Sequence, residues 1–204
     1  MPKSTFFNLP EHKKDHLLHA AKEEFSRVPL NEASIANIVK TAEIPRGSFY
    51  QYFEDKEDVF YYLLMKHAEE KRKEFAVIMN QNKGDLFATI IDAFEIIIKD
   101  EVNYKFLKNT FLHLTHKTES IFAKSFHDYG LDKPFDQMSV LIDQSNLNVE
   151  DGKELFHLFR MVTTITFQNI VDKFALDLPI EQALENFKIE MRLLQRGLLK
   201  TDHV

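Results

Sequence analysis

The chain is predicted to be all-α, with an N-terminal three-helix helix-turn-helix head and a larger C-terminal helical domain. Three observations predict this. Apolar residues recur at helical spacing through nearly the whole sequence, and alternating β-branched runs are scarce. Only five glycines and six prolines interrupt 204 residues, of which 44% are apolar, enough for a substantial core. Between Ser34 and Asp58, two short apolar helical periods stand on either side of one sharp break. The expected division is residues 1–55 for the head and 56–204 for the second domain.

Residues 1–8 read as a short mobile arm, either plain terminal disorder or a strand of chain whose Lys3 and Thr5 touch a partner's backbone. Pro10 suits a helix start, and Leu17, Leu18, Ala21 and Phe25 give the first helix its inward face. The run Arg27-Val-Pro29 ends it. Asn31 or Ser34 can cap the next helix, whose inward residues are Ile35, Ile38, Val39 and Ala42. Glu43-Ile44-Pro45 breaks that helix, because proline lacks an N–H and fits the first position of a new one.

The new helix, Pro45 to about Phe53, has two unlike faces. At about 100° per residue, Phe49 and Phe53 fall together on the inner side, while Gly47, Ser48 and Gln51 fall on the outer. Tyr50 and Tyr52 stand on the shoulders, and Arg46 lies at the N-terminus, where free N–H groups favour an anion. Such a helix suits a DNA major groove. Gly47 lets the backbone come close and Gln51 can pair with adenine. Ser48, Tyr50, Tyr52 and Arg46 can reach phosphates.

The run Ile38-Val-Lys-Thr-Ala-Glu-Ile-Pro-Arg-Gly-Ser-Phe-Tyr-Gln-Tyr-Phe-Glu-Asp-Lys-Glu resembles the DNA-binding signature of TetR/AcrR-type bacterial transcriptional regulators. Two positions depart from the family pattern. Glu43 stands where glycine is usual, so the turn either does not need a positive φ or is strained. Pro45 stands where a serine cap is usual. The resemblance implies a homodimeric repressor on a palindromic double-stranded operator, released by a small apolar effector. It places Ser34 and Lys56 with the DNA-contacting residues above, Lys56 facing a phosphate. The competing reading is a helical dimerisation or small-molecule-binding module without specific DNA binding.

Asp55 and Asp58 have capping-box-like spacing at the start of a helix that runs through Val59, Phe60, Leu63 and Leu64 to about Asn80. Starting at the head and ending in the second domain, this helix would serve as a lever. After a loop at Asn80–Gly84, an apolar helix carries Leu86, Phe87, Ile90, Ile91, Phe94, Ile97 and Ile98. Further helices are expected over Tyr104–His116, Glu119–Tyr129 and Phe135–Gln144, with a turn at Gly130–Pro134.

From Lys153 to Leu176 apolar side chains appear nearly all round, and Ile180, Leu184, Phe187, Met191, Leu194 and Leu198 then form a heptad stripe. These two helices are expected to pair with their copies in a second chain, using Phe156, Val162, Ile170, Phe174, Leu184, Phe187, Met191, Leu194 and Leu198; the alternative is that both stripes are spent inside one subunit. An effector pocket is expected among Phe106, Phe111, Phe159 and Phe167, with Asn109, Thr110, His113, Thr163 and Gln168 as polar contacts; core packing accounts for the phenylalanines equally well.

The chain has no cysteine, no motif of a catalytic nucleophile, phosphate loop or zinc protease, and no run of eighteen uncharged apolar residues. A cytoplasmic protein with no catalytic, metal or cofactor site and no membrane partner is therefore expected. The net charge of −6 opposes DNA binding, yet up to Phe53 seven basic residues meet six acidic ones, so the excess acid lies in the remainder.

Overall fold

A computed structural model describes residues 1–113 and 134–198, and every regular element among them is a helix. In chain order these are α1 (Ser4–Phe7), α2 (Glu11–Arg27), α3 (Ile35–Thr41), α4 (Arg46–Tyr52), α5 (Lys56–Gln81), α6 (Leu86–Ile98) and α7 (Tyr104–Leu112). They are followed by α8 (Pro134–Ser139), α9 (Gly152–Ala175) and α10 (Ile180–Leu198). The helix expected at Glu119–Tyr129, His116 and the turn before Pro134 lie outside the described residues. Among the described residues no helix is long and apolar enough to cross a membrane.

The chain forms two compact units, and α5 contributes Lys56–Glu69 to the first and Glu70–Gln81 to the second. The first unit contains α1 to α4 and, from much later in the sequence, α7. Its core is Leu17, Ala21, Phe25, Ile38, Phe49, Phe53, Val59 and Leu64, all but closed to solvent. Phe60 joins Phe25 on one side, with ring centroids 5.1 Å apart, and Phe106 of α7 on the other, at 5.8 Å. Asn109 fastens α7 to the end of α2 by donating to the Phe25 and Ser26 carbonyls at 2.9 and 3.2 Å. Beside the helix-turn-helix head, α7 packs into the same unit, and residues 1–8 form a packed helical turn rather than a mobile arm.

Glu24 holds α3 in place. Its buried carboxylate accepts from Arg27 Nε and Nη2 at 2.9 Å each, from the Ser34 N–H at 2.8 Å and from Asn37 Nδ2 at 3.1 Å. Burial alone would push this carboxyl up, but Arg27, the Ser34 amide and Asn37 together hold it below the usual glutamate range.

In the second unit, α6 packs against both α9 and α10. Phe94 of α6 lies over Phe187 of α10 with centroids 4.2 Å apart, and Phe135 of α8 meets Phe156 and Phe159 of α9 at 5.2 and 5.6 Å. Asn169 Nδ2 donates to Glu190 Oε2 at 2.7 Å, joining α9 to α10. Of the heptad stripe of α10, Phe187 and Met191 are buried within this unit, while Ile180, Leu184 and Leu194 are half-buried. Phe156, Val162, Ile170 and Phe174 of α9 are likewise buried in the single chain. Phe94 of α6 covers Phe187, and Phe135 of α8 covers Phe156. Leu198 is the last residue of α10.

Three helices end in the same way without glycine. After α3, Ile44 N–H reaches back to the Val39 carbonyl and Glu43 N–H to that of Lys40. The ends of α5 and α9 show the same five-residue reach, from Gly84 to Met79 and from Leu178 to Lys173. This Schellman geometry needs a left-handed residue, supplied by Glu43 (φ 51°), Lys83 (φ 53°) and Asp177 (φ 49°). After Lys83 the chain turns again through Gly84 (φ 86°), where a Cβ would stand 2.6 Å from the Asp143 nitrogen and 2.8 Å from the Leu141 oxygen.

Gly84→Ala combines backbone strain with a clash against main-chain atoms and is expected to destabilise the protein by more than about 1 kcal/mol, read from the urea midpoint. Glu24 yields a pH prediction. Its folded carboxyl binds a proton less readily than the unfolded one, so its contribution is complete above about pH 4.3 and disappears as pH falls through the lower folded value. The stability advantage of wild type over Glu24→Gln should therefore shrink on acidification below that pH; a constant difference from pH 3 to 7 would contradict it.

Candidate nucleic-acid interface

The helix α4 is a seven-residue element set by the two aromatic rings beneath it. Phe49 and Phe53 are fully buried, with centroids 5.6 Å apart, and they fix which side of the helix faces outward. Pro45 sits at the N-cap with φ −59° and ψ 141°, one residue earlier than expected. It offers no side-chain cap, but its carbonyl accepts from Ser48 N–H at 2.9 Å. The turn before it requires the left-handed conformation at Glu43, so of the two alternatives the strained one holds.

On the outer side, Arg46, Gly47, Tyr50 and Gln51 are exposed, while Ser48 and Tyr52 are half-buried. Arg46 Nη2 lies 3.4 Å from Tyr50 Oη, so the guanidinium leans along the helix towards the next turn. A Cβ added at Gly47 would meet nothing within 4 Å, and its φ is not positive. The fold itself therefore makes no demand for glycine at this position.

The two flanking candidates have work inside the head. Ser34 caps α3, its Oγ accepting from Ala36 N–H at 3.2 Å. Lys56, half-buried, donates to the Asn31 and Ala33 carbonyls at 2.8 and 3.0 Å, which ties the start of α5 to the loop before α3. Asp55 caps α5 as its spacing suggested, accepting from Asp58 N–H at 2.7 Å.

Sequence reasoning missed how the other end of α4 is held. Lys3 N–H donates to the Tyr52 carbonyl at 2.8 Å, Lys3 Nζ to the Tyr50 carbonyl at 2.9 Å, and Thr5 Oγ1 to the Gln51 carbonyl. Phe6 is fully buried, 5.0 Å from the Phe53 ring and 5.4 Å from Tyr62. The one available signal was the adjacent pair Phe6-Phe7 in an otherwise polar segment.

The expected effector contacts divide between the units. Phe106, Asn109, Thr110, Phe111 and His113 belong to the first unit, and Phe159, Thr163, Phe167 and Gln168 to α9 in the second. Asn109 is engaged with α2 as described. Thr110 donates to the Phe106 carbonyl at 2.8 Å, Thr163 to that of Phe159 at 2.9 Å, and Gln168 Nε2 to Asp172 Oδ1 at 2.8 Å. His113 and Gln168 are exposed, and Phe167 is half-buried. The first unit also has an open cleft of about 560 Å³, lined by His19, Lys22, Glu23, Ser26, Arg27, Val102 and Lys105. Among the described residues no three histidines or carboxylates are placed to hold a metal.

Solved structures of similar fold cover almost the whole chain. SmeT, the repressor of the Stenotrophomonas maltophilia multidrug efflux pump SmeDEF, is 14% identical with a TM-score of 0.69, over 97% of this chain and 94% of its own. The fatty acid degradation regulator FadR from Bacillus halodurans is 17% identical with a TM-score of 0.63, over 90% and 98%. A putative TetR-family regulator from Mesorhizobium loti is 12% identical with a TM-score of 0.64, over 93% and 98%. Two family models match the sequence itself: bacterial regulatory proteins of the tetR family over residues 17–63, and the tetracyclin repressor-like C-terminal domain over residues 85–198. The second match alone spans more than half of the chain, which therefore belongs to the TetR family of bacterial transcriptional regulators.

Proposed function

We propose that this regulator is a ligand-released repressor that binds a palindromic operator as a homodimer, with α4 reading the major groove. The observation that carries the reading is the two-sidedness of α4: Phe49 and Phe53 are sealed beneath it, while Arg46, Gly47 and Gln51 stand open on the other side. Gln51 is the candidate base reader, through a bidentate pair with adenine. Arg46, Ser48, Tyr50 and Tyr52 are candidate phosphate contacts that set register. Ser34 and Lys56 support the face by holding α3 and its preceding loop, with further donor capacity on the lysine for a phosphate.

The proposed effector is small and apolar, in keeping with neighbours that regulate a multidrug efflux pump and fatty acid degradation. Phe159, Thr163, Phe167 and Gln168 are its candidate contacts on α9. The α7 residues Phe106, Asn109, Thr110, Phe111 and His113 belong to the first unit, where Asn109 already grips α2. The effector need favour the DNA-incompetent state by only a few kcal/mol. For the homodimer, Met161 of α9 with Ile189 and Leu193 of α10 offer exposed apolar surface at 44%, 40% and 60%. The half-buried Leu184 and Leu194 remain candidates beside them.

A duplex enriched from a randomised pool by the wild-type protein supplies the probe for two tests. Gln51→Ala is expected to weaken binding by about 1–3 kcal/mol and to relax base preference at one position of each half-site. Unchanged affinity and preference would place the reading face elsewhere. Gly47→Ala should change stability and binding in opposite directions. Thermal unfolding should show a gain of up to about 1 kcal/mol from better helix propensity, while affinity for the duplex falls because the helix can no longer approach as closely. Affinity rising with stability would show that nothing approaches Gly47.

A further inference from the structure

We propose that Lys3, Thr5 and Phe6 form a clip that positions the reading helix, and that this segment acts on DNA through α4 rather than by touching it. The inference takes the role of α4 from the function proposed above. A helix of seven residues is too short to persist alone, and its last carbonyls have no partners within it. In α4 the Phe49 carbonyl accepts from Phe53 N–H at 2.9 Å. The next three are met by residues more than forty positions away: Tyr50 by Lys3 Nζ, Gln51 by Thr5 Oγ1 and Tyr52 by Lys3 N–H.

Phe6 then locks the segment down. Its ring is closed to solvent and lies between Phe53, the inner anchor of α4, and Tyr62 of α5. The clip is itself ordered, since Phe6 N–H donates to the Lys3 carbonyl at 2.9 Å and Leu9 N–H to that of Phe6 at 3.1 Å. The N-terminal end of α4 lacks a side-chain cap, so side-chain hydrogen bonds to its backbone come from the clip at the far end. The ammonium of Lys3 is turned onto a helix C-terminus, where a cation is favoured, and away from the role of a phosphate contact.

Amide hydrogen exchange on the full-length protein without DNA is the direct test, using Phe6→Ala and Lys3→Pro. Lys3 has φ −76°, which proline can adopt, so Lys3→Pro removes both lysine hydrogen bonds while leaving the Phe6 ring in place. In both variants the amides of Phe49 to Phe53 should exchange at least about tenfold faster, with those of Ala183 to Met191 in α10 changing less than about threefold. Phe6→Leu should restore most of the protection. Should Phe6→Ala unfold throughout, α10 would lose protection too, and Lys3→Pro would decide alone. Unchanged protection of α4 in Lys3→Pro overturns the clip.

Binding of the selected duplex separates the clip from a DNA-touching arm. Lys3→Pro should bind about tenfold more weakly, and Phe6→Leu within about threefold of wild type. Lys3→Met should leave the slope of log affinity against log salt unchanged, whereas a slope reduced by about one would mean that Lys3 neutralises a phosphate and would overturn the proposal. If the wild-type protein enriches no duplex, the DNA-binding function fails while the exchange data still decide the clip.

Discussion

Everything at the head depends on two phenylalanines sharing one side of a short helix. Sealing Phe49 and Phe53 contributes about 2–3 kcal/mol each, and a seven-residue helix that contains a glycine cannot persist on propensity alone. The same burial sets the rotation of α4 about its axis. With that rotation fixed, Gly47 and Gln51 have nowhere to point but outward, so chemistry and stability are divided between opposite sides of one element.

The rest of the first unit keeps this short rod from shifting. Glu24 gathers Arg27, the start of α3 and Asn37 around one buried carboxylate, which fixes α3 against α2. Lys56 closes the loop before α3, and Asn109 of α7 fastens the end of α2. A chain with so few glycines turns its corners by forcing Glu43, Lys83 and Asp177 into the left-handed region, which sterics disfavour by about 1–2 kcal/mol per residue relative to the right-handed one. The corner between α3 and α4 is one of them, so part of the packing energy of the head is used to hold α4 at that angle.

Much of this was legible in the residues. The inner faces of α2 to α4, the break near Pro45 and the Asp55 cap follow from periodicity and turn chemistry, because those signals are local. Three features were not. The docking of residues 1–8 rests on Lys3, Thr5 and Phe6 meeting partners more than forty residues away, a pairing that local periodicity does not reveal. The return of α7 to the head depends on Asn109 meeting carbonyls more than eighty positions earlier. The heptad stripe of α10 was correctly seen as apolar, but periodicity says only that a face needs cover. Here Phe94 of α6 in the same chain covers Phe187 of that stripe, while Ile180, Leu184 and Leu194 stay half-buried.

The anchoring of Lys3 has a practical consequence for handling the protein. Because its N–H is bonded to the carbonyl of Tyr52, whatever is joined ahead of it leaves the molecule beside the last turn of the helix assigned to read DNA. A purification handle or fluorescent fusion at that end would load the joint between this segment and α4, and a weak interaction measured on such a fusion would reflect the attachment as much as the regulator.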